Sequence, residues 1–481
     1  MLKRFPQTTS RRFDARLSLS VGAVVASMAF ALLLGKIAGE GEWLYLALAA
    51  VAVPVIVWPI EFALGLYAFL IPFDSVTTLG AGTTGTTANL LVGAMCGAAI
   101  LGTGLMRNRL RWPARAAWMW LVFLGWSAIT ATWALRTDFA LHELATPISL
   151  VLLYLAAVSW PITDKQLRWL SRVTIAGGCV ASWMVIYLFS SGVSYLAWTS
   201  RASLAVAGRE TNPDRFAAEL LLPLALATAE LLSDRNWRGK ILAGVASASI
   251  CYTILITMSR ASLVAIAAML VVFAIRTGVN RRMLLAGSVF VCLVGLMPAT
   301  FFARIQNMIS SGGDGRLDIW KAGLSVWRRY WLFGAGFANF PIAYQDFAGV
   351  APVFHGYNRG SHNTYLQTAA ELGIIGTLLL AYTLYAHFHE FSRFRLAEGK
   401  FPKSKLSFLV VGLEAASWAM VAYGLFADLL WEKGFWLVLT FSIMATRSRK
   451  EFAGTRTREI VCPEDARRYS GQLINSSVAK D

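Results

Sequence analysis

Four residues have the type and setting for chemistry: one histidine and three arginines. In GSHNTYLQTAAELGIIG, residues 360–376, His362 stands one residue before an apolar segment long enough to cross a bilayer. Ser361 or Asn363 can cap the helix that starts there. A neutral imidazole at that boundary can take a proton from a hydroxyl near pH 7. The competing reading is a solvated or hydrogen-bonded loop histidine. Arg201 and Arg316 each lie near an apolar boundary. Such an arginine either anchors to lipid phosphates or grips a pyrophosphate with its fork of donors. Arg260 interrupts apolar sequence at TMSRAS, 257–262, where there is no room for a loop. An ionisable group at such depth needs a partner or a role. Arg215 follows Asp214 directly, and the pair reads as a local salt bridge. Glu414 lies inside an apolar run, so it either pairs with a base or is protonated. Glu371 is nine residues after His362, half a helical turn out of phase, and does not orient it. His142 and His355 show no ligand spacing, so no metal or other cofactor is expected. Walker, GxSxG and HExxH motifs are absent.

The elements that must position these residues are membrane helices. Of 481 residues, 57% are hydrophobic and 15% charged, where a soluble protein carries about 25% charged residues. Apolar runs of spanning length recur, giving an all-α polytopic bundle of 12 to 14 spans. They fall at 17–36, 42–57, 60–73, 88–105, 116–134, 145–160, 173–190, 216–232, 241–258, 261–275, 283–301, 363–386, 406–425 and 431–446. The ten-residue alternation of a β-barrel is missing. The basic amino-terminal segment precedes a first span with no convincing cleavage site, so that span reads as retained. The five cysteines form no CxxC pair and suggest neither a disulfide framework nor zinc.

The net charge of +17 is not a nucleic-acid signal, because the basic residues cluster in short breaks between spans. With the amino terminus inside, 31 of the 44 Lys and Arg residues fall in cytoplasmic segments. Both termini are then cytoplasmic. The segments 191–215, 257–262 and 302–362 face outward and bring Arg201, Arg209, Arg215, Arg260, Arg316 and His362 to one membrane face. In the long outer loop, Leu317, Trp320, Leu324, Trp327 and Trp331 recur at helical spacing between basic residues. That predicts an amphipathic helix lying on the membrane surface, followed by a Gly-rich turn at FGAGFANF, 333–340. The chain divides into amino-terminal spans at 1–190, a core at 191–390 containing loop 302–362, carboxy-terminal spans at 391–446 and a cytoplasmic tail at 447–481. A general base and several arginines on the outer face suit transfer from a lipid-linked pyrophosphate, the donor available outside the cytoplasm. The arginines neutralise the leaving group where another enzyme uses a divalent cation.

Several segments also resemble the O-antigen ligase/polymerase superfamily of bacterial envelope enzymes. RASLAVAGRETNPDRFA, 201–217, is similar to its Arg–Gly–Asn-Pro-Asn segment, with Asp214 in place of the last Asn. MSRASLVAI, 258–266, resembles its Ser-Arg helix start. GRLDIWKAGLSVWRRYWLFGAGFANF, 315–340, resembles its Arg-x-x-x-Trp followed by Gly-x-Gly. SHNTYLQTAAELGIIG, 361–376, resembles its His-Asn-x-Tyr-Leu-x-x-x-x-Glu-x-Gly signature. The resemblance covers about residues 200–390. It implies a metal-independent, inverting glycosyltransferase of the inner membrane whose donor is a glycan on undecaprenyl pyrophosphate. His362 is then the base and Arg201 and Arg316 the pyrophosphate ligands, with Arg260 a weaker match.

Ligase and polymerase share this chemistry. A ligase passes the glycan to lipid A–core and a polymerase to another lipid-linked repeat unit; the ligase is slightly preferred. Transfer to protein serines needs the same site with a wider groove. A flippase or transporter would instead carry charges deep in several spans, with inverted repeats.

Overall fold

The computed structural model describes residues 58–448, apart from 77, 80–85, 193–200, 207–208, 234–235, 280, 298, 300, 304–305, 307–314, 351–355, 358, 400 and 403. The spans expected at 17–36 and 42–57, His355 and nearly all of the tail 447–481 lie outside the described residues.

The chain enters through a π-helical turn at Pro59–Leu64, α1 at Gly65–Leu70 and a 3-10 turn at Ile71–Val76. The span expected at 60–73 is therefore a broken one. Pro59 opens it and Pro72, which has no amide hydrogen, lies in its closing turn. Two short hairpins follow in sequence order, β1 (Thr78–Leu79) with β2 (Thr86–Thr87) and, later, β3 (Ala205–Val206) with β4 (Arg209–Glu210). The remaining elements are helices: α2 Ala88–Met106, α3 Arg115–Ala131, α4 Thr137–Glu143, α5 Ala145–Ser159, α6 Asp164–Ser190, α7 Pro213–Glu219 and α8 Leu221–Ser233. Then come α9 Trp237–Ile256, α10 Arg260–Thr277, α11 Arg281–Gly295, α12 Arg316–Arg329, α13 Phe340–Gln345, α14 Thr364–Glu398, α15 Lys405–Tyr423 and α16 Lys433–Ser448.

Seven helical segments among the described residues are long and apolar enough to cross a membrane: 137–159, 164–190, 213–233, 237–256, 260–277, 364–398 and 405–423. The protein is a multi-pass, all-α membrane protein. Segments 213–233 and 405–423 form its centre, with 83% and 78% of their most apolar stretch buried, against 39–44% for the other five. Those five turn large apolar side chains outward, among them Leu152, Trp183, Leu242, Val271 and Leu378. In water such a belt would be an aggregation surface, whereas in a bilayer it faces lipid.

Helix α14 runs for 35 residues but breaks at Gly373, where φ is 65°. In an unbroken helix the Ala370 carbonyl and the Ile374 amide would bond each other. Here Ala370 O accepts from Ala335 N at 2.9 Å, and Ile374 N donates to Trp331 O at 2.8 Å. Gly336 N takes the Glu371 carbonyl at 2.9 Å and the Trp126 indole takes the Leu372 carbonyl at 3.0 Å. Neighbouring segments thus take up four of the backbone groups at the break. It requires glycine, because a Cβ at Gly373 would overlap the Leu332 carbonyl and one at Gly334 (φ 81°) the Glu371 carbonyl. The Gly-rich turn expected at 333–340 is thus the wedge that holds α14 open.

Helix α12 is amphipathic, as its spacing predicts, and it presents a different face to the protein. Ile319, Ala322, Gly323 and Val326 pack inward. Leu317, Leu324 and Trp331, from the predicted apolar stripe, stay 50%, 39% and 55% exposed. Small residues let α12 lie close on α14, and the large ones are left for the membrane surface.

Candidate functional site

The site is built at one end of the bundle, where segments assigned to the outer face by the charge count come together. Asn363 caps α14, accepting from the amides of Tyr365 and Leu366 at 3.0 Å each. The first turn of α14 is bolted to the segment after α15. Thr364 N donates to Gly424 O at 2.8 Å and Thr364 Oγ1 to Ala427 O at 2.7 Å. Leu429 N returns a bond to Thr364 Oγ1 at 2.9 Å, and Tyr365 OH reaches Val421 O at 2.7 Å. These bonds set Asp428 beside the residues preceding the helix. The Ser361 hydroxyl lies 3.2 Å from Asp428 Oδ1, and Trp320 of α12 donates its indole hydrogen to Ser361 O at 3.0 Å.

His362 sits between these anchors. Its φ is 48°, in the left-handed region that L side chains rarely adopt. Its side chain is exposed. The left-handed backbone is braced from both sides while the imidazole stays exposed. Asp428, beside the neighbouring Ser361, lies within electrostatic range of it. Burial pushes the Asp428 carboxyl above the usual carboxylate range, opposed by His362, the Ser361 hydroxyl and Arg215. Sequence reasoning missed Asp428. The signal was its place in the short outer break between two spans.

Arg201 is 8% exposed. Its Nε donates to Thr257 O at 2.8 Å, and one terminal nitrogen meets Asp214 Oδ1 at 2.6 Å. The Thr257–Ser259 turn, with Met258 at φ 53°, leads directly into α10, whose first residue is Arg260. Arg201 and Arg260 therefore share one anchor. Arg316, the first residue of α12, lies within electrostatic range of Asp214 and Tyr423. Tyr423 OH donates to Asp214 O at 2.8 Å. Asp214, the departure noted in the sequence, is thus the carboxylate that ties Arg201 in place. Asp214 and Arg215 do not form the local bridge expected: Arg215 instead meets Glu432 at 3.0 Å. Consecutive residues at a helix start point apart, so each finds a partner in another segment.

Glu371 does not orient His362. Its carboxylate accepts from Ala338 N, Phe340 N and Gln367 Nε2, each at 3.1 Å, and so fixes the Gly-rich turn. Beside it opens a cavity of about 480 Å³. Its lining draws on segments far apart in sequence, from Asp74 and Glu143 to Arg215, Glu371, Asp428 and Glu432. His142 is exposed on α4, and the described residues contain no cluster of His, Cys, Asp and Glu able to hold a metal ion.

The fold is that of a multi-pass membrane protein with a polar-lined cavity at one end of its bundle. Comparison with known proteins agrees. The O-antigen ligase family matches residues 245–381. The exopolysaccharide production protein ExoQ of Rhizobium meliloti is 25% identical over 317 residues, covering 62% of this chain and 71% of that protein. The chain is thus similar, over part of its length, to the O-antigen ligase-related superfamily of membrane enzymes.

Proposed function

We propose that the protein transfers a glycan from undecaprenyl pyrophosphate to an acceptor hydroxyl at the periplasmic face of the bacterial inner membrane. Both termini are then cytoplasmic. The observation that carries this reading is the meeting, at one end of the bundle, of His362 with the nearby Asp428 and the segments bearing Arg201, Arg260 and Arg316.

In this reading His362 takes the proton from the acceptor hydroxyl. The oxygen attacks the anomeric carbon as its bond to the pyrophosphate oxygen breaks. One displacement inverts the configuration at that carbon. Arg201, Arg260 and Arg316 receive the charge that develops on the leaving pyrophosphate, with no metal ion needed. Asp428 stabilises the imidazolium that forms. Arg201, held by Asp214 and the Thr257 carbonyl, enters the reaction already oriented, so little side-chain entropy is lost when donor binds.

Two acceptors fit the chemistry. The family match, by its name, favours lipid A–core, while the relative concerned with exopolysaccharide production favours a second lipid-linked repeat unit. The deciding experiment is the length of glycan on undecaprenyl pyrophosphate in cells lacking this gene. Long chains on the carrier indicate a ligase, and single repeat units indicate a polymerase. Donor trapped on the inner leaflet indicates a flippase and removes the catalytic role of His362.

A further inference from the structure

The cavity beside Asp428 has a charge opposite to that expected of a pyrophosphate site. Five carboxyl groups line it: Asp74, Glu143, Glu371, Asp428 and Glu432. Its two cations are each tied to one of those acids, Arg215 to Glu432 at 3.0 Å and Lys433 to Asp74 at 2.6 Å. Neither Arg201, Arg260 nor Arg316 contributes to the lining. The border between the two regions runs through consecutive residues: Asp214 turns to Arg201, and Arg215 turns to the cavity. Asp428 belongs to the cavity and also lies within electrostatic range of His362.

We propose that this cavity is the acceptor subsite and that it selects an uncharged, hydroxyl-rich saccharide. The inference rests on the transfer reading above and deepens it. Glu371 is committed to the Gly-rich turn; where the other carboxyl groups are ionised their oxygens are hydrogen-bond acceptors only, and paired oxygens match the paired hydroxyls of a sugar ring. Phe337 and Trp431 line the same space, with ring centres 5.8 Å apart and planes at 71°. Aromatic walls with a few placed polar groups suit the mixed C–H and O–H surface of a pyranose. A volume of about 480 Å³ holds a short saccharide end, not a whole polymer. A phosphate or carboxylate on the acceptor would find both lining cations already in ion pairs and would meet like charge at each ionised lining carboxylate, so the site disfavours an anion. A phosphate-bearing core acceptor is disfavoured, and the sugar end of an uncharged repeat unit is the better occupant.

The test uses the full-length protein in lipid nanodiscs and two synthetic probes: a neutral tetrasaccharide and the same compound carrying one phosphate. Saturation-transfer NMR titrations read the affinity of each. The neutral probe is expected to bind at least tenfold more tightly. Glu143→Lys, on the partly exposed end of α4, should narrow that gap several-fold with the protein still monodisperse. Equal or tighter binding of the phosphorylated probe overturns the proposal, as does no binding of either probe to folded protein. His362→Ala separates this inference from the reading beneath it. If that variant keeps the neutral preference and also keeps full transfer, the base assignment fails and the subsite stands. If transfer is lost but wild type shows no charge preference, the subsite fails alone.

Discussion

The two ends of the bundle handle buried charge in opposite ways. At the end away from His362, Glu414 is 3% exposed at its side chain and bonded on all sides. Arg276 of α10 reaches it with two nitrogens at 2.7 and 3.1 Å, and Arg395 of α14 lies 2.7 Å from both oxygens. One carboxylate locks three helices. At the other end the ion pairs are single and two of them border a cavity: Arg215, 64% exposed, meets Glu432, and the more buried Lys433 meets Asp74. A saturated cluster is a structural device whose partial removal is costly. An open set of charges beside a strained, exposed histidine keeps hydrogen-bonding capacity for a substrate.

Breaking the open end should stop chemistry without unfolding. Replacing His362 with Ala is expected to lower transfer by about 100- to 10,000-fold, with membrane insertion intact; a lipid-linked donor assay checks this. His362→Gly should lose as much activity while matching or exceeding wild type in thermal stability, because glycine relaxes the left-handed backbone. Full activity in either variant would remove His362 as the base. Breaking the closed end should do the reverse. Glu414→Ala leaves two half-buried arginines without their acid and should destabilise by up to about 3 kcal/mol, read as a lower melting temperature in detergent, with activity per folded molecule unchanged. Loss of turnover in molecules that remain folded would erase the contrast between the ends.

A smaller effect, roughly tenfold or about 1.4 kcal/mol on the barrier, is expected for Asp428→Asn. The pH profile sharpens it. The Asp428 carboxyl is raised by burial, so on acidification it takes up its proton earlier than an ordinary carboxylate and its pull on His362 is lost. The acid limb of the wild-type profile should contain that step, and the Asn variant should lack it. The smallest change in stability belongs to Arg215→Ala, under about 1 kcal/mol for so exposed a pair, visible instead as a raised KM for acceptor.

Much of this was legible in the primary structure because bilayers impose long-wavelength rules. Span length and the excess of Lys and Arg on one side placed the segments bearing Arg201, Arg215, Arg260, Arg316 and His362 on one face, and these segments do gather at one end of the bundle. The helix start at Asn363 and the amphipathic pattern of α12 are local, so capping chemistry and spacing sufficed for them. The breaks in regularity were harder to read. GIIG at 373–376 looks like ordinary spanning helix until the wedge at 333–340 is seen inside it.

What the sequence indicated by itself is an all-α, multi-pass chain and which residues have side chains able to act as a base or a phosphate ligand. Only the tertiary structure decided partnership: that Asp428 lies within electrostatic range of His362, that Asp214 holds Arg201 while Arg215 turns to Glu432, and that Glu414 is held by two arginines. Hydropathy and charge counts act along one dimension, through each residue's own transfer free energy. Pairing depends on how helices rotate and pack, and it joins residues as much as 359 positions apart, such as Asp74 and Lys433.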